Sequence, residues 1–241
     1  MKPGFAGLTD TGIVRSVNQD NFYIDPDEGR FFIVADGMGG HAGGQEASQI
    51  AAAVIRKYLE EHWDSSVESP ELLEKAVFEA NQQILSDQLD HPERGDMGTT
   101  AVAVMFRQGK SWYAAVGDSR LYQMRGDRLK QLSDDQTWVA RALKQGDLTQ
   151  EEARMHPWRH VLSQCLGRKD LQKVVVRSLD ARSGDCLLLC SDGLTEEVAD
   201  DEIAACLTSN ETCEEAVHAL VEEAKHNGGS DNITVVLVVL K

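Results

Sequence analysis

The stretch RFFIVADGMGGH, residues 30–41, places an acidic side chain directly after an apolar run. The run Phe31–Ala35 predicts a buried strand. An unpaired carboxylate is costly to bury, so Asp36 is out of place in an ordinary core. The glycines that follow let the backbone turn sharply and approach a ligand closely. Asp36 is therefore either a turn residue or a metal ligand, and the rest of the sequence must distinguish these two interpretations.

Three further aspartates lie at the ends of apolar strands in the same way. Each is beside a glycine or a small polar residue: Asp118 after Trp112–Val116, Asp192 after Leu187–Cys190, and Asp231 before Ile233–Leu240. A lone aspartate at such a position is most economically a turn or cap residue. Four aspartates in the same kind of position favour a shared metal site, because clustered carboxylates repel one another unless cations neutralise them. Oxygen ligands suit Mg²⁺ or Mn²⁺ rather than zinc.

A predicted hairpin adds a fifth carboxylate to this set. Asp25–Gly29 has the composition of a tight turn, so the strand Asn21–Ile24 should pair with Phe31–Ala35. Asp20 and Asp36 both lie away from the turn, and the pairing therefore brings them to the same end of the hairpin.

Such a set of carboxylates predicts metal-assisted hydrolysis of a phosphate ester. One carboxylate can bridge two ions about 4 Å apart, and the pair can hold a hydroxide for in-line attack on phosphorus. Arg15 lies shortly before Asp20, where a guanidinium could hold phosphate oxygens by paired hydrogen bonds. Taken alone, Arg15 is an ordinary surface residue.

The hydrophobic periodicity changes several times along the chain. Helical spacing predicts four helices: Glu46–His62, a helix from Ser69 to the residue before His91, Asp201–Leu207 and Thr212–Asn227. Between the helix pairs and after them lie strand patterns joined by short turns, which predict antiparallel pairing. This order of elements predicts an α+β layered fold rather than a doubly wound sheet. It consists of strands, two helices, strands, two helices and a last strand.

The 241 residues contain no linker, repeat or low-complexity tract, which favours one domain over residues 1–241. Residues 134–169 differ from the rest, because they are polar and irregular and contain Trp138 and Trp158. A long irregular insert in a compact domain is often a lid or recognition element. The alternative is a surface excursion packed on its tryptophans.

Charge and cysteine content limit the partners and the compartment. The net charge of −16 argues against nucleic acid and anionic membranes as partners. Five cysteines without a C-x-x-C pair suggest neither a disulfide framework nor a zinc site. No stretch has the length of a signal core or a membrane span. We therefore expect a cytoplasmic protein, and a monomer.

The motifs together carry a family resemblance. In order they are Arg15-x-x-Asn18-Gln19-Asp20, Asp36-Gly37-Met38-Gly39-Gly40-His41, Gly98-Thr99-Thr100, Gly117-Asp118-Ser119-Arg120, Ser191-Asp192-Gly193 and Asp231-Asn232-Ile233-Thr234. This set resembles the metal-dependent type 2C serine/threonine protein phosphatases in their compact bacterial form. The resemblance implies a four-layer α-β-β-α sandwich of two antiparallel sheets flanked by helices.

The resemblance also implies roles for individual residues. Asp36 would bridge two Mn²⁺ or Mg²⁺ ions, with the Gly37 carbonyl on one of them. The remaining metal ligands would be Asp192 and Asp231 on the other ion, Asp118 with Asp192 on a third, weaker ion, and Asp20 directly or through water. Arg15 would hold the substrate phosphate, and the insert at 134–169 would be a mobile flap. The substrates would be phosphorylated proteins, and a serine/threonine kinase the expected partner.

Two positions depart from the pattern of many eukaryotic members. Gln19 stands where they have an acidic residue, which weakens one metal contact. Met38 stands where they have a histidine proposed as the general acid. His41, three residues further on, is an alternative candidate, but it can equally pack within the glycine loop. The general acid is left unassigned.

Two other functions compete with a phosphoprotein phosphatase that forms no phosphoenzyme. A two-metal nuclease or small-molecule phosphoesterase would use similar carboxylates, although the chain has no basic track for nucleic acid. A non-catalytic binding module could keep the same fold. The presence of Asp36, Asp192 and Asp231 together argues against that module, because a degenerate site would be free to lose them.

Overall fold

The computed structural model describes residues 3–241, except for the side chains of His41, Ala42 and Arg154. Its strands are β1 Gly4–Asp10, β2 Asp20–Ile24, β3 Phe31–Met38, β4 Gly98–Thr99, β5 Ala101–Arg107, β6 Lys110–Val116, β7 Arg120–Arg125, β8 Arg128–Gln131, β9 Val176–Leu179, β10 Cys186–Cys190 and β11 Ile233–Val239. Its α-helices are α1 Gly40–His62, α2 Ser69–Asp90, α3 Trp138–Gln145, α4 Gln150–Met155, α5 Asp192–Thr195, α6 Asp200–Ser209 and α7 Cys213–Asn227. A single 3₁₀ turn at Pro92–Arg94 follows α2.

The strands form two sheets in which neighbouring strands run antiparallel. One sheet has the order β1-β11-β10-β7-β8, and the other β2-β3-β5-β6-β9. The short strand β4 pairs with the end of β3. No helix within the described residues is long and apolar enough to cross a membrane.

Three hydrophobic clusters fill the spaces between four layers. Helices α1 and α2 cover the outer face of the second sheet, where Ile55 and Leu72 pack with Phe31. The two sheets face each other across a second cluster, and α6 and α7 cover the outer face of the first sheet through a third. Strand β3 shows why no apolar–polar alternation appears: Phe31 faces the helices and Phe32 faces the other sheet. The predicted four-layer sandwich is confirmed.

Two element boundaries differ from the sequence prediction near Asp36. Helix α1 begins at Gly40 rather than Glu46, because glycines in its first turns let it pack closely on β3; a Cβ on Gly44 would lie 2.7 Å from the Gly37 carbonyl oxygen. Strand β3 continues to Met38 because β4 pairs with its last two residues. Asp36 therefore lies within a strand, not after one.

The segment 134–169 contains two short helices joined by irregular chain, as its composition predicts. Thr137 and Thr149 cap the N-termini of α3 and α4. Trp138, His156 and Trp158 form an aromatic cluster, with the two indole rings 5.2 Å apart in an edge-to-face arrangement. This cluster joins the start of the segment to its second half.

Candidate active site

Asp20 and Asp36 lie directly opposite each other on the antiparallel strands β2 and β3. The predicted pairing that brings both residues to the same end of the hairpin is confirmed. Threonine hydroxyl groups bond both the N–H and the carbonyl of the Asp36 backbone. Its N–H donates to Thr100 Oγ1 at 2.9 Å, and its carbonyl accepts from Thr99 Oγ1 at 2.8 Å. The carboxylate of Asp36 is thus fixed by strand pairing rather than by a loop.

Gly37 lies where only a glycine fits. A Cβ at this position would overlap the carbonyl oxygen of Gly44 and come within 2.7 Å of the Gln19 carbonyl oxygen. The contact places the start of α1 against the site. Gln19, the residue that replaces an acidic side chain, donates from Nε2 to the Gly40 carbonyl at 2.9 Å. Its amide therefore ties the loop before β2 to the glycine segment.

Ser191 joins the ends of β10, β11 and β2. Its hydroxyl donates to Asp20 Oδ2 at 2.7 Å and accepts from the Thr234 N–H at 2.9 Å, and its side chain is fully buried. Asp192 follows as the first residue of α5. The packing of Gly193 is equally tight, because a Cβ there would overlap the carbonyl oxygen of Asn232. The two sheets meet at this point.

Asp231 is oriented by hydrogen bonds from both sides. The N–H of Asn232 donates to its Oδ1 at 2.8 Å, and Arg15 donates to its Oδ2 at 2.7 Å. The Asn232 amide also donates to the carbonyls of Thr11 and Val17. These bonds fix the loop that carries Arg15, so its guanidinium lies beside the carboxylates.

A cavity of about 730 Å³ collects the predicted site residues. Its lining includes Arg15, Asp36, Gly37, Asp118, Asp192 and Asp231. Asp20 lies beneath this surface and is 7% exposed. The structure therefore brings together every residue that the sequence proposed for the metals and the phosphate.

Burial dominates the electrostatics of these carboxyl groups. It raises the pKa of Asp20 to about 7 and that of Asp118 to about 8. It also raises the pKa values of Asp36 and Asp192, and the charges of neighbouring aspartates add to the effect at all four. These carboxyl groups therefore favour their protonated forms unless bound cations stabilise the charged ones.

The oxygen atoms of this site fit hard divalent cations. Asp20 Oδ1 and Asp192 Oδ1 are buried and accept no hydrogen bond from any residue that the structure describes. Buried polar atoms are normally paired, so these two oxygens indicate absent partners. Carboxylate and carbonyl oxygens without sulfur ligands match Mg²⁺ or Mn²⁺. Bound cations would lower the raised pKa values and satisfy the free oxygens together.

Three ionisable residues of the cavity were not found from the sequence: Arg159, His160 and Glu196. His160 Nδ1 lies 2.5 Å from Glu196 Oε1, and both groups have ligand atoms within 4.8 Å of one on Asp192. Burial raises the pKa of Glu196 to about 7. Its position four residues after Asp192, one helical turn away, was an available signal. The side chain of His41 lies outside the described part of the structure.

Comparisons with known proteins agree with this geometry. The sequence profile named protein phosphatase 2C matches residues 13–233. The chain belongs to the protein phosphatase 2C family. The family predicted from the motifs is thereby confirmed, and the match includes the segment 134–169 and most strands of the two sheets.

Curated relatives within the family carry phosphatase names. The chain is 37% identical over 236 residues to the serine/threonine protein phosphatase PstP of Mycobacterium tuberculosis. That match covers 97% of this chain and 44% of PstP, so the chain spans less than half of this relative's length. It is also 38% identical over 234 residues to the protein phosphatase PhpP of Streptococcus pneumoniae, covering 96% of this chain and 95% of PhpP.

Solved structures of the family superpose over nearly the whole chain. The Mycobacterium tuberculosis phosphatase PstP/Ppp matches with a TM-score of 0.89 and 36% identity over 100% of both chains. The PstP catalytic domain in complex with two manganese ions matches with a TM-score of 0.88 and 33% identity, covering 98% of each chain. The relatives' names agree with the enzyme class that the sequence predicted, and the manganese complex shows that such a fold holds two metal ions.

Proposed function

We propose that this protein is a metal-dependent phosphatase of phosphoserine and phosphothreonine in proteins. One observation carries the proposal: a cavity lined by four aspartates and Arg15 lies over a fifth aspartate, and two of the buried carboxylate oxygens have no described hydrogen-bond partner. The relatives named serine/threonine phosphatases support the substrate class.

The carboxylates divide between the ions that the site would hold. Asp36 would contribute to both ions, Gly37 would add its carbonyl oxygen, and Asp192 and Asp231 would hold the second ion. Asp118, with Asp192, is assigned to a third and weaker ion. Two bound ions would polarise a water for in-line attack on phosphorus and offset the charge of the phosphate. The manganese complex of a relative supports two ions.

Several residues of the chain prepare the site for that chemistry. Ser191 orients Asp20 through its hydroxyl, and strand pairing sets Asp20 against Asp36. Arg15 can leave Asp231 for the substrate, because its side chain is 52% exposed and exposed ion pairs contribute little free energy. A guanidinium that holds two phosphate oxygens fixes the angle at which the phosphorus faces the carboxylates.

A covalent mechanism finds no support in the chain. The sequence Asp25-Pro26-Asp27 has the spacing of an aspartyl nucleophile motif. However, Asp25 lies at the turn end of the β2–β3 hairpin, where its carboxylate accepts two hydrogen bonds from the Arg30 guanidinium. That end is opposite Asp20 and Asp36. We therefore propose direct transfer of the phosphoryl group to water, without a phosphoenzyme.

The proposal also covers the insert at residues 134–169 and the cellular role of the protein. Residues 134–169 would act as a flap, since Arg159, His160 and Leu162 line the same cavity as the aspartates. We also propose a monomeric enzyme in the cytoplasm that opposes a serine/threonine kinase, as the sequence and its family resemblance led us to expect. The single-domain assignment for residues 1–241 belongs to this proposal as well.

Phosphate release from a phosphothreonine peptide tests the function. We expect turnover with Mn²⁺, and a loss of at least a hundredfold with EDTA or in Asp192→Asn. Asp127→Asn is the matched control, because Asp127 lies exposed in the β7–β8 turn. Turnover that survives EDTA, or an unaffected Asp192→Asn variant, would refute the metal mechanism. Cleavage of DNA with a spared peptide would favour a nuclease, and metal uptake without turnover a binding module.

A further inference from the structure

A second cavity, of about 580 Å³, lies between the two sheets at one side of the sandwich. It is bordered by β8, the last strand of one sheet, and by β9, the last strand of the other. Each of these strands has a hydrogen-bonded neighbour on one side only. This cavity, which we call the edge groove, shares no lining residue with the site of the aspartates.

Basic side chains point into the edge groove from both sheets. On β8, Leu129 packs on the layer of α6 and α7, so the alternation of a strand turns Arg128 and Lys130 toward the other sheet. On β9, Leu179 is buried between the sheets, so Arg177 faces the same space. A space that is apolar elsewhere in the sandwich is therefore lined by cations here.

These cations are available for a ligand to different degrees. Arg125, at one end of the edge groove, is held by Asp185 and Asp180. Arg177 pairs with Asp134 at 2.8 Å, but both side chains are exposed, and such a pair exchanges readily for another carboxylate. Arg128 and Lys130 are exposed and form no ion pair with any residue that the structure describes. This positive surface lies on a chain of net charge −16.

The floor of the edge groove is apolar. Tyr113, Leu132 and Leu179 belong to the cluster between the sheets, and all three line the groove. The Tyr113 hydroxyl donates to the Leu132 carbonyl at 2.8 Å, so its ring edge stays in place. Cations above an apolar floor suit a ligand that alternates acidic and apolar side chains. Packed sheets lie about 10 Å apart, which admits one extended chain and excludes a helix with its side chains.

We infer that the edge groove binds an extended acidic segment of the polypeptide substrate, as a docking site separate from the phosphorylated residue. The inference rests on the proposed phosphatase function. Carboxylates of the segment would pair with Arg128, Lys130 and Arg177, and an apolar side chain would cover Tyr113.

The distance to the aspartates sets a spacing rule. Tyr113 precedes Asp118 by five positions on and just after β6. At a strand rise of about 3.3 Å per residue, the two lie at most about 17 Å apart. About five extended residues between the phosphothreonine and the acidic block are therefore enough to reach both places. We expect an acidic block directly beside the phosphothreonine to bind the groove less well, because no spacer bridges this separation.

Phosphopeptides with the same reacting core test this inference. One carries four glutamates after a spacer of eight residues, the second carries glutamines after the same spacer, and the third has the glutamates without a spacer. We expect KM to be about three- to tenfold lower for the first peptide than for the others, with similar kcat. The spacer is placed on the N-terminal side in one series and on the C-terminal side in another, since either chain direction is possible.

Charge reversal locates the effect. In Arg128→Glu/Lys130→Glu the preference for the first peptide should disappear, while turnover of para-nitrophenyl phosphate stays unchanged. The matched control is Lys57→Glu/Lys75→Glu, which makes the same charge change on exposed helix residues that do not line the groove. The control should keep the preference. A preference that persists in the groove variant, or disappears in the control, would overturn the inference.

Direct binding separates failure of this inference from failure of the proposed function. The unphosphorylated glutamate peptide, labelled for fluorescence anisotropy and titrated in EDTA, should bind the wild-type protein and not the groove variant. This readout needs no turnover. Turnover of all three phosphopeptides with equal KM would leave the phosphatase intact and remove the docking site. If heparin bound as tightly as the glutamate peptide, recognition of an acidic polypeptide would be refuted. The basic residues would then serve to prevent the edge strands from pairing with those of another molecule.

Discussion

Asp20 and Asp36 are directly opposed in the register of β2 and β3, where Asp20 is 7% exposed and Asp36 lines the cavity. Like charges opposite each other destabilise an antiparallel pair. The protein gives Asp20 a single hydroxyl partner, Ser191, and leaves its other oxygen without one among the described residues. Protons or cations that offset these charges should therefore stabilise this end of the hairpin, and we expect metal binding to stabilise the fold.

The first prediction concerns Asp20→Asn. In EDTA at neutral pH, the variant should melt about 2–4 °C higher than the wild type, because one of two opposed charges is gone. With saturating Mn²⁺ the order should reverse, since the wild type gains stability from ions that bind its folded state. Differential scanning calorimetry with and without Mn²⁺ measures both effects.

Asp127→Asn is the control for that experiment, because Asp127 is exposed in a turn. Its melting temperature should follow that of the wild type in both conditions. If Mn²⁺ stabilised Asp20→Asn as much as the wild type, Asp20 would have no part in the metal site, directly or through water.

The second prediction concerns Ser191, which touches no cavity surface and acts through Asp20. Ser191→Ala removes the donor to Asp20 Oδ2 and the acceptor of the Thr234 N–H. An unsatisfied buried group costs about 1–3 kcal/mol, so the free energy of unfolding should fall by that amount. Mn²⁺ affinity should fall about 10–100-fold, as is typical when the residue that orients a ligand is lost.

Urea unfolding and isothermal titration with Mn²⁺ measure the two effects of Ser191→Ala. The control is Ser178→Ala, since Ser178 is exposed on β9. Rescue of Mn²⁺ affinity by Ser191→Thr, which keeps a hydroxyl, would support orientation by the hydrogen bond. Loss of stability with unchanged Mn²⁺ affinity would show that Ser191 serves only the fold.

The sequence predicts that Asp20 and Asp36 lie together because the deciding signals are local. The turn Asp25–Gly29 sets the hairpin register, and the register alone places Asp20 opposite Asp36. The layer order follows from the alternation of strand and helix periods. The aspartates are found because a carboxylate at the end of an apolar run is an exception to the usual pattern.

The parts that the sequence does not predict depend on long-range contacts. Ser191 meets Asp20 across 171 positions, and Asn232 reaches the loop of Arg15 across more than 210. No periodic pattern in the sequence predicts either contact. Glycine has low helix propensity, so the early start of α1 was also missed; only its close packing on Gly37 explains it. His160 enters the cavity from an irregular segment whose path has no sequence pattern.

The third prediction concerns Arg15, whose guanidinium pairs with Asp231. Arg15→Ala should raise KM for a phosphothreonine peptide about tenfold or more, because a charge-assisted contact to phosphate is lost. Mn²⁺ should bind at least as tightly as in the wild type, since a cation that competes for Asp231 is gone. Steady-state kinetics and isothermal titration give the two constants, with Lys57→Ala as the control. Weaker Mn²⁺ binding in Arg15→Ala would contradict this division of roles.

The fourth prediction concerns Asp185, which lies far from the metal site and is only 2% exposed in its side chain. Its carboxylate accepts hydrogen bonds from Arg125, Gln123 and the Arg182 N–H, and the Arg125 bonds are the main reason that its pKa is lowered. The folded protein therefore binds its proton less readily than the unfolded chain. The resulting stability is present above the unfolded pKa of about 3.8 and is lost as pH falls through the lower folded value.

Asp185→Asn should consequently lower the free energy of unfolding by about 2 kcal/mol at pH 7, a discounted value because Arg125 is partly exposed. The deficit relative to the wild type should shrink as pH falls below about 4, where the wild-type carboxylate begins to take up its proton. Urea unfolding in EDTA across pH 3–7 measures the difference without a metal contribution. Asp180→Asn, at an exposed carboxylate beside the same arginine, should lose less than half as much. A deficit that stayed constant with pH would show that Asp185 stabilises the fold by shape and hydrogen bonding, and not by its charge.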